Sequence, residues 1–254
     1  MFRISLKIIL IFVVIAVTVS LGIYFLIPRS KPSPQELPFS SPPPQNQPQE
    51  LVVLPQIIWG NRNEKEVIFT FDGGAGKQSL QAILDALEKY DVKGTFFLTG
   101  KWTEGNPILV KQISDAGHEI FNHTYSHPHL PEISDEEIIS ELTKADESIS
   151  NITGKSTKPY FRPPYGEVDD RVRKAAAEAG YQSVRWTIDA LDWEESSGRT
   201  AQQVKDRVLN NLKPGTIYIM HIGDNLTGQV LDELFIKIKE QGYSILSLTQ
   251  GIGK

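Results

Sequence analysis

The globular part of the sequence, residues 51–254, predicts an α/β fold: a distorted, incomplete (β/α) barrel with about seven parallel strands. Three observations carry that expectation. Short β-branched or aromatic runs alternate with amphipathic helical stretches throughout. The segment, roughly 200 residues, is short for eight complete strand–helix units. The polar residues that interrupt the pattern also fall just after strand runs: Asp72, His123, Arg162 with Tyr165, Asp189 with Asp192, and His221. Strands of a parallel barrel end at one mouth, so these sequence-distant residues are expected to meet.

In chain order, Glu66–Phe71 is a strand ending at Asp72, followed by Gly73, Gly74 and Gly76. Gln78–Tyr90 places Leu80, Ile83, Leu84 and Leu87 at helical spacing. Gly94–Leu98 is the next strand, Asn106-Pro107 opens a helix, and Gly117 stops it. His118–Asn122 is a third strand. Ser134 and Glu137 form a capping box for a helix carrying Ile138, Leu142, Ala145 and Ile149. Pro159–Arg162 reads as extended, Asp169–Ala179 as a helix ended by Gly180, and Tyr181–Ile188 as one strand. Thr200 caps the next helix, which runs to about Leu212. Thr216–Met220 is a strand ending at His221, Gly228–Gln241 a helix, and Tyr243–Leu248 the last strand.

Upstream, residues 8–27 are uncharged and apolar, long enough to cross roughly 30 Å of hydrocarbon as a helix. Residues 1–31 therefore read as an uncleaved N-terminal membrane anchor, with the bulk of the chain on the extracytoplasmic side. Cations flank the span on both sides (Arg3 and Lys7, Arg29 and Lys31), so the positive-inside rule says little. Residues 32–50 are rich in proline, serine, glutamine and asparagine and read as an extended linker. The net charge of −5 with scattered basic residues gives no nucleic-acid footprint. The chain has no cysteine, which removes disulfides, thiolate metal sites and cysteine nucleophiles.

His, Asp and Glu are left as ligands. Three of the chain's five histidines fall in the loop after the third strand, at 123, 127 and 129. His123 and His127 can converge on one cation, and imidazole nitrogens suit zinc. Each motif residue also has a plainer reading. Asp72 could cap the following helix, Arg162 could sit in a surface ion pair, and Tyr165 and Trp193 could be core aromatics. Asp192 could be a turn residue, and His221 a satisfied core histidine. His118 and His129 are read as structural.

Together, Thr70–Gly74, His123–His127, Arg162-Pro163-Pro164-Tyr165, Asp189–Trp193 and Ile219–His221 resemble, in order, the five motifs of the polysaccharide deacetylases, carbohydrate esterase family four. The resemblance implies metal-assisted removal of acetyl groups from amino sugars. It implies a divalent ion, zinc first and cobalt as an alternative, on His123 and His127. It makes Asp72 the general base, kept ionised by Arg162, and His221 the acid, charged and oriented by Asp189. It gives the oxyanion to the Tyr165 N–H, and the acetyl methyl to Trp193 and Ile219. Many members carry a second aspartate where Gly73 stands, so Asp72 is a candidate third metal ligand. The expected substrate is an acetylated cell-envelope glycan, most simply peptidoglycan. Two rivals stay open: a glycoside hydrolase using Asp72 with Asp189 or Asp192, and a glycan-binding module disabled by Gly73. The glycines after Asp72 do not make a phosphate loop, because Phe71 and Gln78 occupy the positions that pattern needs.

Overall fold

A computed structural model describes residues 51–253; the predicted membrane span and linker lie outside them. Among the described residues, no helix is long and apolar enough to cross a membrane.

The central strand is β1 (Glu66–Gly73), buried along its whole length. Its side chains alternate between two environments, as strand geometry requires. Val67, Phe69 and Phe71 face the main core, which the helices cover. Ile68 faces the barrel interior with Phe97, Phe121, Val184 and Ile217. Thr70 and Asp72 continue that inner face, where both meet Arg162.

The other strands are β2 (Thr95–Leu98), β3 (Glu119–Asn122), β4 (Tyr160–Phe161), β5 (Gln182–Ser183), β6 (Ile188–Asp189), β7 (Thr216–His221) and β8 (Ser244–Leu246). Their order is β5-β4-β3-β2-β1-β7-β6, with β8 on the first residues of β1. All pairings are parallel. The sheet is a curled, incomplete barrel, the class the sequence predicts.

Eight helices are described: α1 (Leu80–Lys89), α2 (Gly100–Gly105), α3 (Pro107–Asp115), α4 (Asp135–Thr153), α5 (Asp170–Glu178), α6 (Ala201–Asn210), α7 (Asn225–Glu240) and α8 (Leu248–Ile252). The Ser134 and Thr200 capping boxes form as expected at α4 and α6. Gly154 ends α4 in the left-handed conformation, where glycine escapes the Cβ clash.

Four boundaries differ from the sequence reading. Tyr181–Ile188 is not one strand: Ile57 takes the backbone groups on either side of Val184, bonding Ser183 O and Arg185 N. The chain thus leaves the β4 side and docks on β7 through Thr187 N and Ile217 O. Helix α7 starts at Asn225, three residues before Gly228, because Leu226 and Thr227 bury there. The last strand stops at Leu246, and α8 follows from Ser247. Helix α2 was not anticipated; Thr99 caps it through the Trp102 N–H.

Candidate active site

The strand ends bring the motif residues to one mouth. Register places Asp72 beside His221, and alternation points both inward. His123 follows β3 on the same inner face as Phe121. Asp72, His123, His127, Tyr165, Asp189, Trp193, Ile219 and His221 line one cavity of about 600 Å³. Arg162 lies beneath it, fully buried.

The backbone around this cavity is unusual. Thr124 (φ 65°), His127 (φ 63°), Tyr165 (φ 57°) and Leu191 (φ 58°) are left-handed without being glycine. They occupy three of the loops that carry motif residues; the fifth such residue among those described, Asp91, follows α1. Left-handed non-glycine residues carry strain and persist only where their surroundings over-determine them.

The histidine loop shows how that is done. Asn122 Nδ2 donates to Leu142 O, and Asn122 Oδ1 accepts from Thr124 N. Glu141, one residue earlier on α4, accepts from Tyr125 N, Ser126 N and Ser126 Oγ. His123 Nδ1 lies 2.8 Å from Arg162 O. A carbonyl only accepts, so Nδ1 carries the proton and Nε2 keeps its lone pair. That Nε2 is 3.5 Å from Asp72 Oδ2. Burial outweighs the pull of Asp72 and lowers the His123 pKa to about 4; burial also lowers that of His127. Both rings are therefore neutral at pH 7, with centroids 4.9 Å apart. A bare imidazole nitrogen facing a carboxylate oxygen is a pair of acceptors that a cation would reconcile. Two imidazoles and a carboxylate fit a divalent ion such as zinc.

Asp72 is fixed from the other side. Arg162 Nη1 donates to Asp72 Oδ1 at 2.6 Å and to Thr70 Oγ1 at 2.8 Å. The guanidinium lies 4.1 Å from the Phe97 ring centroid, a cation–π contact at the barrel centre. One carboxylate oxygen is thus committed to Arg162, leaving Oδ2 towards the cavity.

The partner of His221 is not the one the sequence reading assigned. Asp192, fully buried, accepts from His221 N at 2.6 Å and holds His221 Nδ1 at 3.0 Å from its other oxygen. Thr227 Oγ1 also donates to it. Asp189 instead accepts from Leu191 N at 2.8 Å and Trp193 Nε1 at 3.4 Å, the contacts of a turn residue. The left-handed Leu191 swings the chain so that Asp192 passes beneath His221. Burial works against charge on His221, but the Asp192 hydrogen bond and charge, with Asp72 and Asp189, outweigh it and raise its pKa to about 9. Asp192, His221 and Asp224 form the described group of three ligand atoms close enough for a metal. Its chemistry argues otherwise: Nδ1 is spent on Asp192 and the ring is cationic.

The apolar part of the lining includes Trp193 and Ile219, as expected, and also Trp186; Asp224 adds a carboxylate to the lining. Trp186 packs against Gly166 so closely that a Cβ there would sit 2.8 Å from its ring.

Residues 60–184 match the polysaccharide deacetylase family model. The peptidoglycan-N-acetylmuramic acid deacetylase PdaA of Bacillus subtilis is 35% identical over 189 residues, 74% of this chain and 72% of that protein. The chain belongs to the polysaccharide deacetylase family. A peptidoglycan-N-acetylglucosamine deacetylase of Bacillus cereus is 37% identical over 193 residues, covering 74% of this chain and 69% of the relative. Among solved structures, PdaA aligns with a TM-score of 0.74 at 34% identity, over 77% of this chain and 84% of that one. BA3943 of Bacillus anthracis, described as a CE4 family pseudoenzyme, aligns with a TM-score of 0.73 at 35% identity, over 78% and 68%. This member of the family thus resembles both proteins named as deacetylases and one described as a pseudoenzyme.

The departure at Gly73 has a packing side. A Cβ there would lie 2.6 Å from Ile222 Cδ1 and 2.7 Å from Leu98 Cδ2. Strand alternation points residue 73 at that helix-side layer, away from the face that carries Asp72.

Proposed function

We propose that the protein removes acetyl groups from N-acetylated amino sugars of a cell-envelope glycan, with peptidoglycan as the substrate class. The observation that carries this is one cavity holding two neutral imidazoles beside a carboxylate and, next to them, a cationic imidazole. Amide hydrolysis needs those opposite states together: a group that takes a proton from water and one that gives a proton to the leaving amine.

In this reading the acetamido group enters between Trp193 and Ile219. Asp72 Oδ2 takes the proton of the attacking water, while Arg162 holds Oδ1. The Tyr165 N–H, presented by a left-handed turn, meets the developing oxyanion. His221, charged through Asp192, gives its proton from Nε2 to the departing nitrogen. A divalent ion, zinc by donor chemistry and cobalt by similar geometry, would be held by His123 Nε2 and His127, with Asp72 in reach. Bound there, it supplies Lewis-acid polarisation and a more acidic water. The apolar span and linker upstream would tether the domain to the membrane on the extracytoplasmic side, where such a polymer lies.

The test is acetate release from acetylated chito-oligosaccharide and peptidoglycan by the full chain in detergent, before chelation, after it, and with zinc or cobalt restored. Metal-dependent release supports the reading. A folded protein that binds glycan and releases nothing supports the second reading, a glycan-binding module, which Gly73 and the similarity to a pseudoenzyme favour.

A further inference from the structure

We propose that His129 is a positioning residue: it locks the loop carrying His127 to the loop carrying the Tyr165 N–H, and Glu167 holds it there. The inference rests on the deacetylase reading, in which one carbonyl oxygen must meet both loops at once.

Both loops are left-handed where they reach the cavity, at His127 and at Tyr165. Neither residue is glycine, so each conformation needs something outside its own backbone to maintain it. For the histidine loop that support is Glu141 on α4. Among the described residues, no hydrogen bond from another element reaches Tyr165, although Trp186 packs on the next residue, Gly166. It is 53% exposed, so burial does not fix it. The neighbouring bonds, Gly166 N to Pro163 O and Glu167 N to Pro164 O, stay within its own loop.

What crosses from loop to loop is a cluster of rings. The His129 ring lies flat on Tyr165, with centroids 4.1 Å apart and planes 8° from parallel. His127 meets the same tyrosine edge-on, at 4.6 Å and 75°. His129 Nδ1 is 2.8 Å from Glu167 Oε2, and Glu167 is only two residues beyond Tyr165. The imidazole is therefore held twice by the facing loop, through its face and through its edge. A histidine serving only as a polar surface group would need neither contact. Removing the ring frees Tyr165 to relax out of its turn, which moves the oxyanion donor relative to His127. Because both groups serve one oxygen, a displacement of that kind acts on the transition state more than on sugar binding.

The experiment compares wild type with His129→Ala, His129→Phe and Glu167→Ala. The first readout needs no turnover and no metal: NMR relaxation dispersion at the Tyr165 amide, together with a titration with acetate, the reaction product. His129→Ala should introduce microsecond-to-millisecond exchange at Tyr165 and weaken acetate binding by roughly three- to tenfold. On glycan, kcat should fall about tenfold with KM within about twofold. His129→Phe, which keeps the stacked face, should recover most of the loss, and Glu167→Ala should fall between. A Tyr165 amide and an acetate affinity unchanged in His129→Ala would overturn the proposal, as would a kcat loss that phenylalanine fails to rescue. Should His129→Ala not fold, Glu167→Ala carries the same expectation at smaller size. If wild type releases no acetate from any glycan, the deacetylase reading fails, while Tyr165 dynamics still decide whether the clamp exists.

Discussion

His123 and His221 reach the cavity from either side of β1, and each is oriented through Nδ1. His123 uses the Arg162 carbonyl at 2.8 Å, and His221 uses the Asp192 carboxylate at 3.0 Å. Burial pushes both towards neutrality, and for His123 it wins, with a pKa lowered to about 4. For His221 the adjoining carboxylates win, with a pKa raised to about 9. The same side chain thus stands neutral on one wall and charged on the other. What distinguishes them is the charge of the atom beneath the ring, a carbonyl in one case and a carboxylate in the other.

The largest test of that contrast exchanges the partner of His221. Asp192→Asn keeps the shape and removes the charge, so turnover should fall roughly 10²–10⁴-fold, the usual worth of a positioned general acid. Asp189→Asn, at the residue the sequence reading favoured, should cost only about tenfold or less, since its contacts are those of a turn. Steady-state kcat for the two variants decides between them. Equal losses would erase the distinction between the two aspartates.

A second break point lies between the walls, at the Arg162–Asp72 pair. Arg162 is fully buried and Asp72 nearly so. Replacing Arg162 with methionine leaves a carboxylate buried without its counter-charge, which costs about 3–5 kcal/mol. Denaturant unfolding should show that loss with an unchanged m-value. Asp72→Asn alone should unfold at lower denaturant than Arg162→Met/Asp72→Leu, which removes both charges. The reverse order would mean that packing on Phe97, not charge, is what Arg162 contributes.

Much of this arrangement was legible in the sequence, and the parts that were not share a cause. The strand runs placed Asp72, His123 and His221 at one mouth, and the five spaced motifs named the family. The choice between Asp189 and Asp192 was hidden because it depends on one left-handed residue, Leu191, whose sequence gives no sign of it. Tyr181–Ile188 reads as one strand because β-branched and aromatic residues (Tyr181, Val184, Trp186, Thr187 and Ile188) recur through it with no glycine or proline between them. Its division depends on Ile57, more than a hundred residues away, competing for the same backbone groups. Trp186 lies in that segment, and its place at the cavity is hidden for the same reason. Sequence shows Gly73 only as a missing ligand, because the side chains filling its space, Leu98 and Ile222, come from β2 and from just beyond β7. Local pattern shows which residues end a strand; it does not show what packs against them.

The pH profile sharpens the contrast further. A pKa of about 9 in the fold, against the usual 6.5, means the folded state favours the charged ring. The stability from that preference is fully present below about pH 6.5 and is lost as pH rises through about 9. An acid must also be protonated to act. Turnover should therefore hold up to about pH 9 and fall about tenfold per unit above it. In Asp192→Asn the His221 titration, followed by NMR at the ring carbon proton, should move down towards 6.5. A wild-type midpoint already near 6.5 would mean that Asp192 orients the ring without charging it.

The smallest expected effect on turnover concerns Gly73. A methyl added there meets Ile222 Cδ1 and Leu98 Cδ2 at distances no real Cβ tolerates, 2.6 and 2.7 Å. Both are ends of flexible side chains, but both belong to the packed core, so accommodation costs about 1–3 kcal/mol. Gly73→Ala should accordingly lower stability by that amount while leaving kcat within about twofold, since residue 73 faces the helix side of the sheet. Ile222→Val removes the nearer methyl group. Combined with Gly73→Ala, it should return part of the loss as a favourable coupling of about 0.5–1 kcal/mol in a double-mutant cycle. An additive cycle would show that the strand shifts instead of the side chain. Such a shift would carry Asp72 with it, and activity would then fall together with stability.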